Sequence, residues 1–181
     1  MTWARDAALA LLATSAPQRW THTRGVAQRA AGICGMLDET DQPVLVAAAY
    51  LHDLGYASAL RSTGLHQLDG ARAVQACGEH RLAALVAHHS QARFELQLRG
   101  GGAELARYVR ECSAVSDALT YCDLTTSPAG ERISVDDRVR DVIARYGEGE
   151  VVTALLRARP FLLEEVRRTE DRLRSGAGPP A

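Results

Sequence analysis

The sequence predicts an all-α fold, a single-domain helical bundle, and three observations carry that expectation. Alanine and leucine dominate a chain that is 46% hydrophobic but only 5% aromatic, which favours helix over strand. Apolar residues recur three and four positions apart, the spacing of one helix face. Glycine and proline punctuate the chain at helix-length intervals, and no stretch alternates apolar and polar as a half-buried strand would. The 181 residues can bury the core of one domain. Residues 1–175 are expected to form it, and the end of "SGAGPPA", 176–181, to be a disordered tail.

A first helix is expected over 2–13, stopping before Pro17, because the residue ahead of a proline is pushed out of the helical region. A second runs from about 20 to 38, with Val26, Ala30, Ile33 and Leu37 at helical spacing. Asp41-Gln42-Pro43 starts a third, since proline suits a first turn, and Gly55 ends it. Residues 56–65 read as a loop closed by Gly64. A fourth helix covers about 66–77 ahead of Gly78, and a fifth covers 80–89. "RGGG" at 99–102 breaks the chain before a long helix, 103–124. "TTSPAGERIS" is a loop, and Ser134 caps a helix that reaches Tyr146. After Gly147 and Gly149, two short helices split by Pro160 complete the fold.

Composition removes several functions. A formal net charge of −1 offers no field to attract a nucleic-acid polymer or an anionic membrane. No apolar run approaches the length of a membrane span, and the N-terminal segment, with Asp6 in it, does not read as a secretory signal. A cytoplasmic protein is expected. All 21 basic side chains are arginine, so a lysine nucleophile is excluded and arginine is the strong phosphate ligand available. Cys34, Cys77, Cys112 and Cys122 have no zinc-type spacing and read as buried free thiols of a reducing compartment. No serine or cysteine sits in a nucleophile elbow. Trp20 and Tyr56 read as core packing rather than as platforms for a nucleobase.

Helical periodicity places polar residues on apolar stripes. His22 shares a face with Val26, Ala30 and Ile33, and His52 with Leu45 and Ala48. His89 follows Leu82, Leu85 and Val86. Asp123 continues Val109, Cys112, Ser116 and Leu119. A single inward histidine is commonly a hydrogen-bonded core residue. An inward carboxylate needs a partner, because burying an unpaired charge is strongly unfavourable. Such groups on four helices suit a divalent metal, which helix bundles bind from facing helices. Asp117, in line with Arg110, Ser113 and Thr120, reads as solvated; His88 falls one residue off its stripe; His80 reads as surface; His66 reads as a helix cap.

"RWTHTRGVAQRA", "LHDLGYA" and "TYCDLTTSPAGERIS", in that order, resemble the motifs of the HD-domain superfamily, helical metal-dependent phosphohydrolases. The resemblance covers roughly residues 17–146. It implies that His22, His52, Asp53 and Asp123 hold one divalent ion, with Asp117 the alternative to Asp123. "HQLDGARAV" and "LVAHHS" resemble the extra histidines of two-metal subfamilies. That raises His66, and His89 with His88 as its alternative, to ligands of a second ion bridged by Asp53. The implied activity is hydrolysis of a nucleotide or other small phosphate ester or anhydride by metal-activated water, with His52 and Asp53 at its centre. The ion would be Fe, Mn, Co, Ni, Zn or Mg, and the partner a phosphorylated small molecule. Arg19, one turn before His22, and less directly Arg24 and Arg61, are candidate substrate ligands, although a solvated surface charge is the plainer reading of each. An inactive metal- or nucleotide-binding sensor is the alternative; a plain helical scaffold and a di-iron oxygenase are further readings.

Overall fold

Pro17 follows one helix, as expected, and also begins the next. Its fixed φ suits a first turn, where a missing N–H loses no intrahelical bond. In the computed structural model, which describes residues 2–176, α1 is Thr2–Ser15 and α2 is Pro17–Ile33, so the expected start at 20 falls one turn late. α1 buries Ala4, Ala8 and Leu12, a four-residue period, and packs on α2 and α3. A 3₁₀ turn over Cys34–Met36 closes α2.

α3, Gln42–Leu51, carries Pro43 in its first turn and buries Leu45, Ala47, Ala48, Ala49 and Leu51. It stops at Leu51, four residues before Gly55. Gly55 has another role: it lies in the 3₁₀ turn Leu54–Tyr56, and a Cβ on it would stand 2.0 Å from the His66 carbonyl oxygen and 2.7 Å from the Gly70 amide nitrogen. The residue is small so that α4, His66–Ala76, can lie against this turn. α5, His80–His88, packs on α4. The stretch 56–65 holds a second 3₁₀ turn, Ser58–Leu60, and Gly64 and Gly78 take positive φ at the bends.

The long helix expected over 103–124 does not form. The chain makes α6 (Arg93–Leu98) and α7 (Gly102–Leu105), runs on without helix, and starts α8 at Ala114 to end at Leu124. Ser113 decides this. Its hydroxyl accepts the Ser116 N–H at 3.2 Å, and its own N–H donates to Ser116 Oγ at 3.0 Å, a reciprocal cap. Val109 is consequently 84% exposed and Cys112 exposed, so neither joins the inward stripe. Ser116, Leu119 and Asp123 keep it within α8.

α9, Val135–Tyr146, is capped by Ser134, whose hydroxyl accepts the Asp137 N–H at 3.0 Å. α10, Glu150–Gly176, is one helix with Pro160 inside it. The expected split fails because Pro160 and Leu156 are exposed, which leaves the Leu156 carbonyl to water. On the opposite face Ala158, Leu162 and Val166 are buried and hold α10 on α8. Gly176, expected in the tail, is helical; the rest of that tail lies outside the described residues.

Among the described residues there is no strand, only an isolated antiparallel bridge between Thr126 and Arg132 that pins the 125–133 loop. The hydrophobic core extends from Ala4 to Val166 and includes Cys122 and, at its margin, Trp20. The expectation of buried thiols holds for Cys122 alone: Cys34 is half-buried, and Cys77 and Cys112 are exposed. No helix among the described residues is long and apolar enough to cross a membrane.

Gly55→Ala should lower the unfolding free energy by about 2–3 kcal/mol, the scale of an overpacked core. Gly32→Ala, with open space around the new Cβ, should leave it level or raise it by about 0.5–1 kcal/mol. Urea midpoints of the two variants test this, and coincident midpoints would refute the close-approach role of Gly55.

Candidate metal centre

Four helix ends and one helix interior meet at one buried point. His22 comes from α2, His52 and Asp53 from the residues just past α3, and His66 from the first position of α4. His89 follows α5, and Asp123 sits in the last turn of α8. All are buried except His66, which is partly so. His22, His52 and Asp123 each offer an atom within 4.8 Å of the others, and so do Asp53, His66 and His89. Asp53 ties the two groups, its Oδ2 standing 3.5 Å from His52 Nε2 and 4.0 Å from His22 Nε2. The six residues expected as ligands are thus brought together.

The hydrogen bonds fix which nitrogens face the centre. A backbone carbonyl can only accept, so a ring nitrogen beside one carries the proton. His22 Nδ1–H donates to Ser127 O at 3.1 Å, His52 Nδ1–H to Ala49 O at 2.8 Å, and His89 Nδ1–H to Val86 O at 2.6 Å. Three Nε2 lone pairs therefore point inward, with their rings held by the backbone. His52 Nε2 is buried and has no hydrogen-bond partner. His22 Nε2 lies 3.0 Å from Asp123 Oδ1. A lone pair and a carboxylate at that distance call for a cation between them, either a proton or a metal. Imidazole and carboxylate donors in two groups of three fit one or two divalent ions.

Electrostatics keeps the donors in their binding forms. Burial lowers the His52 pKa and carries that of His66 well below its ordinary value, so both rings are neutral at neutral pH. Burial alone would raise Asp53, but His52, His66 and His22, which are cationic in the acid range where the carboxyl would titrate, and the Arg19 guanidinium outweigh it and hold the carboxyl far below the usual range. Asp123 is likewise held well below, by His22, His52 and Arg138 against its own burial.

Supporting contacts orient these side chains. Arg19 Nη1 donates to Asp53 Oδ2 at 3.0 Å and Nη2 to Tyr146 Oη at 3.1 Å, while its guanidinium lies 4.0 Å over the Tyr56 ring. Tyr56 stacks on His66, with centroids 4.2 Å apart. With both faces covered, Tyr56 packs at the margin of the core, as expected, and also forms part of the wall of the site. Asp69 accepts from Ser62 and Thr63, both backbone N–H and hydroxyl, and so holds the bend that launches His66. Ser90 and Gln91 take left-handed backbone, φ 49° and 57°. Such a conformation costs roughly 1–2 kcal/mol per residue without glycine. It lets Ser90 Oγ donate to Asp123 Oδ2 at 2.5 Å, and Gln91 donates to the buried Glu165 of α10.

Other expected residues lie elsewhere. His88 turns away and pairs with the Tyr108 carbonyl through Nε2 at 2.9 Å. Asp117 is not solvated: it is buried and held by Arg168 at 2.6 Å and Arg172 at 2.9 Å, outside the cluster. Arg24 is exposed and lines neither cavity near the site, whereas Arg61 lines one of them. His80 is exposed, as expected. Missed from sequence were Ser90, Arg138, Arg145, Tyr146 and Glu165. Arg138 is buried 3.7 Å from Asp123, and nothing local marks it, since it reaches the site from α9. A cavity of about 140 Å³ opens on Asp53, His66, His89 and Asp123, with Phe94, Leu155 and Leu162 on its apolar wall.

Residues 19–123, more than half of the chain, match the family model described as the HD domain. Neither a curated protein nor a solved structure matches the chain.

Elemental analysis of purified protein separates the two aspartates. Asp123→Asn should weaken metal uptake by more than the roughly 10–100-fold that loss of an outer-shell partner costs. Asp117→Asn should retain the metal and lower the melting temperature, because Arg168 and Arg172 lose their shared counterion. Equal metal loss in both variants would refute the site.

Proposed function

The chain belongs to the HD-domain family, and on that premise we propose that it is a metal-dependent phosphohydrolase acting on a nucleotide or another small phosphate ester or anhydride. The observation that carries this reading is the orphaned, buried His52 Nε2 within a cluster of two three-residue donor groups, of which Asp53, His66, His89 and Asp123 line a cavity.

His22, His52 and Asp123 would hold one ion, and Asp53, His66 and His89 a second or the remaining face of the first. A divalent ion bound there supplies an acidified water and neutralises phosphate charge. The residues around it do the rest. The backbone carbonyls of Ala49, Val86 and Ser127 fix the tautomers, so the lone pairs are aimed before any ion arrives. Ser90 and Arg138 take up charge on Asp123, as Arg19 does on Asp53. Arg19, at the cavity wall beside Asp53, is placed to turn part of its fork to a phosphate oxygen. Phe94, Leu155 and Leu162 exclude water from one side and would take the non-phosphate part of the substrate.

The test is phosphate release from a panel of nucleotides and small phosphate esters with Mn, Fe, Co, Ni, Zn or Mg added. Release should require the metal, stop with chelator, and fall by on the order of 100-fold or more in His52→Ala and Asp53→Asn, the scale of losing a transition-state-stabilising group. Undiminished release in both variants would remove the cluster from catalysis. Metal bound with no release across the panel would favour a binding-only sensor.

A further inference from the structure

A second cavity, of about 410 Å³, adjoins the one of about 140 Å³ over the cluster; Arg19, Tyr56, Arg138 and Arg145 line both. The two differ in charge. Asp53, Glu95 and Asp123 line the smaller cavity. The larger is lined by Arg19, Arg61, Arg138 and Arg145, and no carboxylate is among its lining residues. The counterions of these arginines lie behind that wall. Arg19 pairs with Asp53 at 3.0 Å, while Arg138 and Arg145 share Asp141 at 3.1 Å and 2.7 Å. Arg138 also lies 3.7 Å from Asp123, so four guanidiniums face one space with three carboxylates, Asp53, Asp123 and Asp141, behind them, and Arg61 is paired with none of these.

Arg138 adds an independent sign. Its residue is only 6% exposed, yet its Nε is buried with no hydrogen-bond partner. A buried, unsatisfied N–H is unfavourable unless something completes it. Arg138 lines the cavity, so a turn of its guanidinium would bring this N–H to a phosphate-type oxyanion there, whose oxygens can accept from the planar fork. Arg138 and Arg145 lie beyond residues 19–123, so the family match does not assign this space.

We propose that the four-arginine cavity binds a second phosphate-type oxyanion. Resting on the phosphohydrolase reading, the substrate then carries two such groups, one over the His/Asp cluster and one in this cavity. Arg19 and Arg138, common to both cavities, would contact each group. The site itself needs no metal, since no member of it is a proposed metal ligand except His22 at its edge.

Calorimetric titration of metal-free protein with inorganic triphosphate and with orthophosphate tests this. Triphosphate should bind about tenfold or more tightly than orthophosphate, as expected when a second charged group is engaged. Arg61→Gln/Arg145→Gln should weaken triphosphate binding by about tenfold or more. Arg61→Glu serves as a second variant, because Arg61 is exposed and its change leaves the core untouched; it should weaken binding several-fold by charge reversal alone. Equal affinities for the two anions, or triphosphate affinity within about twofold of wild type in both variants, would overturn the proposal. Loss of triphosphate binding in the variants, together with no release across the nucleotide panel, would support the anion site and sink the hydrolase reading.

Discussion

The 3.0 Å approach of His22 Nε2 to Asp123 Oδ1 is the constraint around which the rest of the structure is arranged. Backbone carbonyls hold the protons of three histidines on their outer nitrogens, so what meets at the centre is lone pair against lone pair and carboxylate. Such an assembly is repulsive without a cation. A core of this kind is retained only where the surrounding fold over-determines it, and here it does. α3 buries Leu45, Ala47, Ala48, Ala49 and Leu51, and its packed end holds His52 and Asp53 in place. The Arg19 and Arg138 guanidiniums balance the two carboxylates from the outside.

Delivering five separate chain segments to that point needs close backbone contacts, and these explain residues that carry no chemistry. Gly55 lets the Asp53 turn touch the start of α4, which brings His66 to within 3.6 Å of Asp53. Asp69 fixes the preceding bend. On the far side, the left-handed Ser90–Gln91 pair turns the chain sharply after His89, and the Gln91–Glu165 hydrogen bond anchors that turn to α10. Burial raises the Glu165 pKa, in keeping with an acid enclosed mainly to hold an amide. The strain at Ser90 is the cost of placing a hydroxyl on Asp123 and an imidazole one residue away on the opposite group.

How much of this was legible in the sequence depends on how local the determinant is. His22, His52 and His89 were readable because their own helices carry the apolar stripe that turns them inward. Asp123 was placed correctly on an incorrect helix. Val109 and Cys112 do not belong to its stripe, but Ser116 and Leu119 do, and they suffice. Asp117 misled because its neighbours in α8 are polar, while its true partners, Arg168 and Arg172, arrive from α10. No periodicity within α8 could reveal them. The break at Ser113 was a local signal that went unread: a serine capping box outweighs a run of acceptable helix formers. Pro160 shows the reverse error, because a proline on an exposed face interrupts one hydrogen bond and not the packing on the other side.

The division between what was legible and what was not follows a division of labour in the molecule. The cluster and its tautomer-fixing carbonyls, apart from that of Ser127, fall within residues 19–123, the region that matches the HD domain. Arg138, Arg145, Tyr146 and the apolar wall from α10 fall beyond it, in helices placed on the site after the donor set is complete. Two consequences follow from that layout. Substitutions in α9 and α10 can reshape the cavity over the cluster without moving a donor atom. And membership of the family speaks to the donor set more than to the substrate, because Arg138, Arg145 and the α10 wall, which share the cavity with Arg19, Tyr56 and Phe94, come from a part of the chain that the family match does not reach.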